Sequence, residues 1–120
     1  MALFLLTDDP KKLLRSFKEQ IDQGLIETWS LDKDGDLTHS ARQWNGRAWM
    51  RPNLETDQLS FYIIPPNGAW ISKTVYAVYH GRLAESMLVH CDKLFSRAEA
   101  TALPTIRDKV KSENYVEPEG

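Results

Sequence analysis

The chain has 120 residues, 15 basic and 17 acidic side chains, a formal net charge of −2 and a single cysteine. This length predicts one domain that buries roughly two-thirds of its unfolded surface, and 42% hydrophobic and 27% charged residues are ordinary for a globular protein. The charge balance excludes a surface built entirely for nucleic acid, and one cysteine excludes an internal disulfide, which fits a reducing compartment.

The N-terminal segment is apolar as far as Leu6 and then meets Asp8 and Asp9. It is too short and has the wrong flanks for a secretory signal, and no window approaches the ~20 apolar residues of a membrane span. The segment predicts a short edge strand or an extended stretch against the core. By elimination we expect a cytoplasmic protein that does not contact membranes.

A first helix is predicted to begin after Asp9, a good N-cap, with Pro10 at its first position and Gly24 just beyond its end. Its apolar residues recur at helical spacing and form one stripe, namely Leu13, Leu14, Phe17 and Ile21.

Alternating residues then predict several strands. The first covers 25–31, with Leu25 and Trp29 facing the same way, and Asp34-Gly35 predicts a hairpin turn back into Leu37–His39. Further strands are predicted, after a turn, over Gly46–Pro52 and Gln58–Ile64. Pro52 should end its strand or lie at an edge because proline has no N–H to donate.

A second helix is predicted from about Ser72 to about Phe95. Its apolar arc comprises Tyr76, Tyr79, Leu83, Met87, Cys91 and Leu94. Gly81 interrupts it at a cost of about 1 kcal/mol relative to alanine, which favours close packing of another backbone, with room for a ligand as the alternative. A last edge strand is predicted within 98–103.

These elements indicate an α+β two-layer sandwich in the order helix, four strands, helix, strand. A mostly antiparallel sheet of three to five strands would carry both helices on one face. We expect a single domain over 1–106 and a disordered acidic tail over 107–120.

No pattern predicts a metal site, a cofactor or a catalytic nucleophile. Asp32, Asp34 and Asp36 have the spacing that begins a calcium loop, but the required glycine and twelfth-position glutamate are missing, which favours a hairpin turn. The histidines lack ligand spacing, and Cys91 lies on the apolar arc, which is typical of a buried, inert thiol.

The most informative stretch is 41–51, which contains three arginines and two tryptophans and no acid. Its candidate binding residues are Arg42, Trp44, Arg47, Trp49 and Arg51. Within a strand, Arg47, Trp49 and Arg51 would project from one face. Such a face is typical of protein interfaces and of sites for anions or stacked bases. It also fits a structural surface in which an acid such as Glu27 balances the arginines.

The first functional hypothesis is therefore a small, soluble, non-enzymatic binding or regulatory protein that uses this Arg/Trp face. The alternative is an enzyme or small-molecule binder for an anionic ligand, with His80, His39 and Arg82 acting together with the strand arginines. Single-stranded nucleic acid is the weakest hypothesis because of the net charge. Nothing in the sequence identifies the partner or the oligomeric state.

Overall fold

The computed structural model describes residues 2–66, 71–105, 108 and 115–116. In these ranges the helices and strands follow one another as β1 (Ala2–Leu6), α1 (Pro10–Asp22), β2 (Trp29–Leu31), β3 (Leu37–His39), β4 (Trp49–Leu54), β5 (Gln58–Ile64), β6 (Ile71–Ser72), α2 (Lys73–His90), β7 (Arg97–Ala100) and β8 (Tyr115–Val116). No helix within them is long and apolar enough to cross a membrane.

Six strands form one antiparallel sheet in the order β2-β3-β4-β5-β1-β7. The α+β class is confirmed, whereas the predicted limit of five strands was too low. The N-terminal segment is an internal strand, because β1 pairs with both β5 and β7, so the prediction of an edge position was wrong. Its continuous apolar run suits a strand with a neighbour on each side, and Ala2, Leu3 and Leu5 are fully buried.

Both helices begin close to the predicted positions: Asp9 is the N-cap of α1, as predicted, and Ser72, predicted only as the approximate start of α2, is its N-cap. The carboxylate of Asp9 accepts the Lys12 N–H at 3.1 Å, and the Ser72 hydroxyl accepts the Val75 N–H at 3.1 Å. Helix α2 ends at His90, earlier than predicted. The two helices share one core with alternate sheet residues, among them Leu13, Phe17, Tyr76, Tyr79, Leu3, Met50 and Phe61.

The segment before β2 departs from the predicted alternation. Leu25 is 61% exposed, whereas Ile26 is buried. The backbone N–H groups of both residues donate to the Gln20 carbonyl, at 2.9 and 3.2 Å, so the chain stays tied to the end of α1. These donors therefore do not serve a sheet ladder, and the strand begins only at Trp29.

The β2–β3 hairpin forms around the acidic turn. The Asp32 carboxylate accepts the N–H groups of Asp34 and Asp36, both at 2.9 Å, and Gly35 has a φ of +83°. These bonds are those of an Asx-type turn, which supports the hairpin interpretation over a calcium loop.

Strand β4 is displaced toward the C-terminus relative to its prediction, so that Pro52 lies inside it. Strand β3 pairs with β4 only at Leu37 and Met50. Beyond Met50, the described chain places no strand on that side of β4. A missing proline N–H is therefore tolerated there.

Strands β6 and β8 form a separate two-stranded parallel pair that the sequence did not predict. Within the predicted tail, 107–120, the described residues are Asp108 and β8. The buried Asp108 carboxylate accepts the Ile63 N–H at 2.9 Å. The remainder of the tail lies outside the described residues, so its disorder stays a prediction.

Candidate functional site

The Arg/Trp segment enters β4 through a tight turn. The N–H groups of Trp44 and Asn45 both donate to the Ala41 carbonyl at 2.9 Å, and Gly46 follows with a φ of +72°. A positive φ at this position favours glycine. The exposed residues Arg42 and Arg47 therefore belong to the turn and its exit, and Arg47 is not part of the strand as predicted.

Tyr79 of helix α2 ties this turn to the core. Its hydroxyl donates to the Trp44 carbonyl and lies 3.1 Å from the Thr38 hydroxyl. Thr38 in turn accepts the Gly46 N–H at 3.0 Å. The half-buried Trp44 side chain packs against the core, so the position of the turn is set by buried contacts.

From Ala48, the residue before β4, to Arg51 the predicted alternation is found. Ala48 and Met50 are fully buried, whereas Trp49 is half-buried and Arg51 is exposed. Trp49 and Arg51 thus point away from the side that packs on the helices.

Arg51 is held by a buried acid on the neighbouring strand. Its Nε and Nη2 donate to the two carboxylate oxygens of Asp36, at 3.1 and 2.9 Å. The hydrogen bond with Asp36 is the main cause that raises the pKa of Arg51. The Arg51 side chain remains 51% exposed and that of Asp36 only 6%. The acid that balances Arg51 is therefore Asp36, whereas Glu27 lies exposed outside the strands.

Neighbouring strands add aromatic residues to the same side of the sheet. Tyr62 in β5 pairs with Arg51, and Phe4 in β1 pairs with Ser60, two residues before Tyr62. The rings of Phe4 and Tyr62 meet edge to face at 6.4 Å. We call Phe4, Trp49, Arg51 and Tyr62 the outer sheet face. Phe4 and Tyr62 were not identified from the sequence, although the alternation of β5 places Tyr62 on the side opposite to Phe61.

The second predicted group is only partly assembled. His39 and Arg82 line a cavity of about 190 Å³, together with Trp44, Glu85, Ser86 and others. His80 does not line this cavity: it is 2% exposed, and its Nδ1 lies 2.7 Å from the Tyr76 carbonyl. The strand arginines are also absent from the lining. Glu85 and Ser86 also line the cavity and were not identified from the sequence.

His39 lies at the edge of the core, and its imidazole ring is neutral. Its Nδ1 accepts the Ala41 N–H at 3.1 Å, which leaves the proton on Nε2. The ring packs edge to face on Trp29, with centroids 5.1 Å apart. Burial lowers the pKa of His39, nearby Arg82 lowers it further, and Glu85 opposes this effect. Because Glu85 also lies 3.6 Å from Arg82, the cavity presents both charge signs and not a simple anion clamp.

The lowered pKa of His39 predicts a pH-dependent stability. Above pH ~6.5 the ring is neutral in both the folded and the unfolded chain, so the full stability is present. As the pH falls from there toward the lowered folded-state pKa, the unfolded chain binds the proton first and stability is lost. We expect His39→Asn, which keeps an acceptor for the Ala41 N–H, to flatten this dependence in urea titrations at several pH values.

His90→Asn is the matched control, because it removes an imidazole that does not line the His39 cavity. Equal pH dependence of the free energy of unfolding in wild type and His39→Asn would contradict the assignment.

The described residues contain no group of three or more His, Cys, Asp or Glu side chains placed to hold a metal ion. Cys91 is buried at the end of α2, and burial raises the pKa of its thiol. A buried thiol with a raised pKa is a poor nucleophile. The outer sheet face and the His39 cavity are the two features that contain binding residues predicted from the sequence.

No protein-family model, curated protein or solved structure matches this chain. The function is therefore inferred from the side chains of the fold itself.

Proposed function

We propose that this protein is a non-enzymatic binding or regulatory protein that holds a protein partner on its outer sheet face. The observation that carries the proposal is the grouping of Phe4, Tyr62, Trp49 and Arg51 on three adjacent strands. Both helices pack with the residues that alternate to the opposite side, such as Phe61 and Met50. Among the described residues no helix lies over the outer sheet face, on which Arg51 is exposed, Phe4 and Trp49 are half-buried and Tyr62 is 8% exposed.

The composition of the face supports a protein partner. Tryptophan, tyrosine and arginine dominate the energetics of protein interfaces, because they combine large contact areas with hydrogen-bonding groups. The bidentate bond to Asp36 fixes the Arg51 guanidinium before any partner arrives. Less side-chain entropy is then lost on binding.

The charges indicate what the partner carries. Arg42 and Arg47 are exposed in the turn and its exit, shortly before Trp49 along the chain. A partner with apolar side chains flanked by carboxylates would complement the aromatic residues and these arginines.

Nucleic acid is a weaker proposal, because acidic groups border the same face. Asp36 binds Arg51, Glu55 Oε1 lies 3.4 Å from the Tyr62 hydroxyl, and Glu99 pairs with Phe4 across the sheet. Each carboxylate would repel a phosphate backbone. An anionic small ligand in the His39 cavity meets the same objection from Glu85.

The test is a quantitative pull-down with the double substitution Arg47→Glu and Trp49→Thr. This double variant keeps Arg51, because removal of Arg51 would leave the buried Asp36 carboxylate without its charged partner. We expect at least a tenfold loss of specifically captured protein, with the melting temperature lowered by only a few degrees.

Arg15→Glu is the matched control, because it makes the same change of charge as Arg47→Glu at an exposed residue of helix α1. Undiminished capture by the double variant, or equal loss with Arg15→Glu, would refute the proposal.

A further inference from the structure

The solvent-facing side of helix α2 has few polar residues. Most α2 residues that turn away from the core are apolar or small, namely Thr74, Ala77, Val78, Gly81, Leu88 and Val89. The partly buried Ala84 lies at the border of this side and also packs against the core. Leu88 is 54% exposed and Val89 is 68% exposed. Only Arg82 and Glu85 bring charge to this side. A helix that is apolar on both sides normally buries both, so this side resembles an interface.

Gly81 lies in the middle of this side. A Cβ at Gly81 would meet no described atom within 4 Å, so the close intramolecular packing favoured from the sequence is wrong for the described chain. The glycine still costs the helix about 1 kcal/mol relative to alanine. It leaves a shallow depression of about 290 Å³, lined by Ala77, Val78, Gly81, Arg82 and Glu85.

The spacing of these residues fits a second copy of the same helix. Residues 77, 81, 84 and 88 follow one another at intervals of four, three and four, which is the spacing of a helix–helix seam. The set is symmetric about the point between Arg82 and Leu83. In an antiparallel pair, the protruding Leu88 of each copy would face Ala77 of the other, beside the depression at Gly81. Gly81 would face Ala84.

The charges favour the same orientation. Arg82 and Glu85 lie 3.6 Å apart, and their side chains are 56% and 62% exposed. In the antiparallel arrangement, Arg82 of each copy approaches Glu85 of the other, close to the two-fold axis. A parallel two-fold arrangement would instead put the Arg82 and Glu85 residues of the two copies on opposite flanks of the seam, which separates the opposite charges.

We propose that helix α2 is a homodimer interface, in which the two copies of α2 pack antiparallel about a two-fold axis near Arg82. The helix has 18 residues and is therefore about 27 Å long. One such helix face falls short of the ~800 Å² per partner of a standard interface, so the dimer dissociates in the micromolar range or above. Because α2 packs on the other side of the sheet, the dimer contact does not include the outer sheet face of either copy.

The test is sedimentation equilibrium of the full chain over a micromolar to millimolar concentration series. We expect wild type to pass from monomer to dimer, and Leu88→Lys to raise the dimer dissociation constant at least tenfold. Leu25→Lys is the matched control, since it places the same charge on a similarly exposed leucine outside this face and should dimerise like wild type. A monomeric wild type throughout the series, or Leu88→Lys that dimerises as wild type does, overturns the proposal.

A charge exchange tests the orientation. Arg82→Glu alone places the carboxylates of residues 82 and 85 from both copies near the two-fold axis, four in all, and should weaken the dimer. Arg82→Glu combined with Glu85→Arg should restore the dimer. Failure of the double variant to restore dimerisation overturns the antiparallel arrangement.

Discussion

Trp29→Ala is expected to lower the free energy of unfolding by about 3–5 kcal/mol, as for other large side chains removed from a core. Trp29 is 1% exposed and joins the sheet to α2: its Nε1–H donates to the Ser86 hydroxyl at 3.1 Å, and its ring packs edge to face on Tyr79 at 5.6 Å. Alanine would remove these contacts and leave a cavity. A domain of this size has a total stability of about 5–15 kcal/mol, so a large fraction of it would be lost.

Trp49→Ala is the matched control, because the same side chain is removed from a half-buried position on the outer sheet face. Urea denaturation followed by circular dichroism compares the two variants. We expect Trp49→Ala to cost less than half as much as Trp29→Ala. Equal losses would contradict the assignment of Trp29 to the core and Trp49 to a surface.

Arg51→Met is expected to lower the free energy of unfolding by about 2 kcal/mol, because it leaves a buried carboxylate without its charged partner. Asp36 is 4% exposed, and Arg51 supplies both of the guanidinium bonds to its oxygens. The half-exposed position of Arg51 keeps the cost below that of a fully buried ion pair.

A double-mutant cycle with Asp36→Asn measures the interaction itself. We expect the combined variant to lose less stability than the sum of the two single variants, since each single change removes the same pair. Strict additivity would show that Asp36 and Arg51 do not stabilise each other.

The local features of the fold were predictable from local sequence. Asp9 and Pro10 begin α1, and Asp34-Gly35 forms the hairpin turn, because caps and turns depend on residues within a few positions of each other. The internal position of β1 was not predictable in the same way. It depends on pairing with β5 and β7, and both lie more than 50 residues further along the chain.

Of the outer sheet face, Trp49 and Arg51 were identified from the sequence, whereas Phe4, Tyr62 and the pairing of Arg51 with Asp36 were not. Naming Asp36 as the partner of Arg51 needs the β3–β4 register, in which Leu37 opposes Met50 and residue 36 falls beside residue 51. The separation of His80 from Arg82 could have been predicted from the sequence, since residues two apart on a helix point about 200° apart. The inward position of Ile26 depends on main-chain hydrogen bonds to Gln20, and the alternation of residues 25–31 does not reveal those bonds.

The central claim is that the outer sheet face contacts a protein partner, and site-specific photocrosslinking at position 49 tests it most directly. A benzoylphenylalanine in place of Trp49 keeps an aromatic side chain at the centre of the face, and the same residue in place of Arg15 reports on the exposed surface of α1. We predict a discrete adduct with a different polypeptide from position 49 and none from position 15. No adduct at position 49 in a folded protein, or the same adducts from both positions, would contradict the claim.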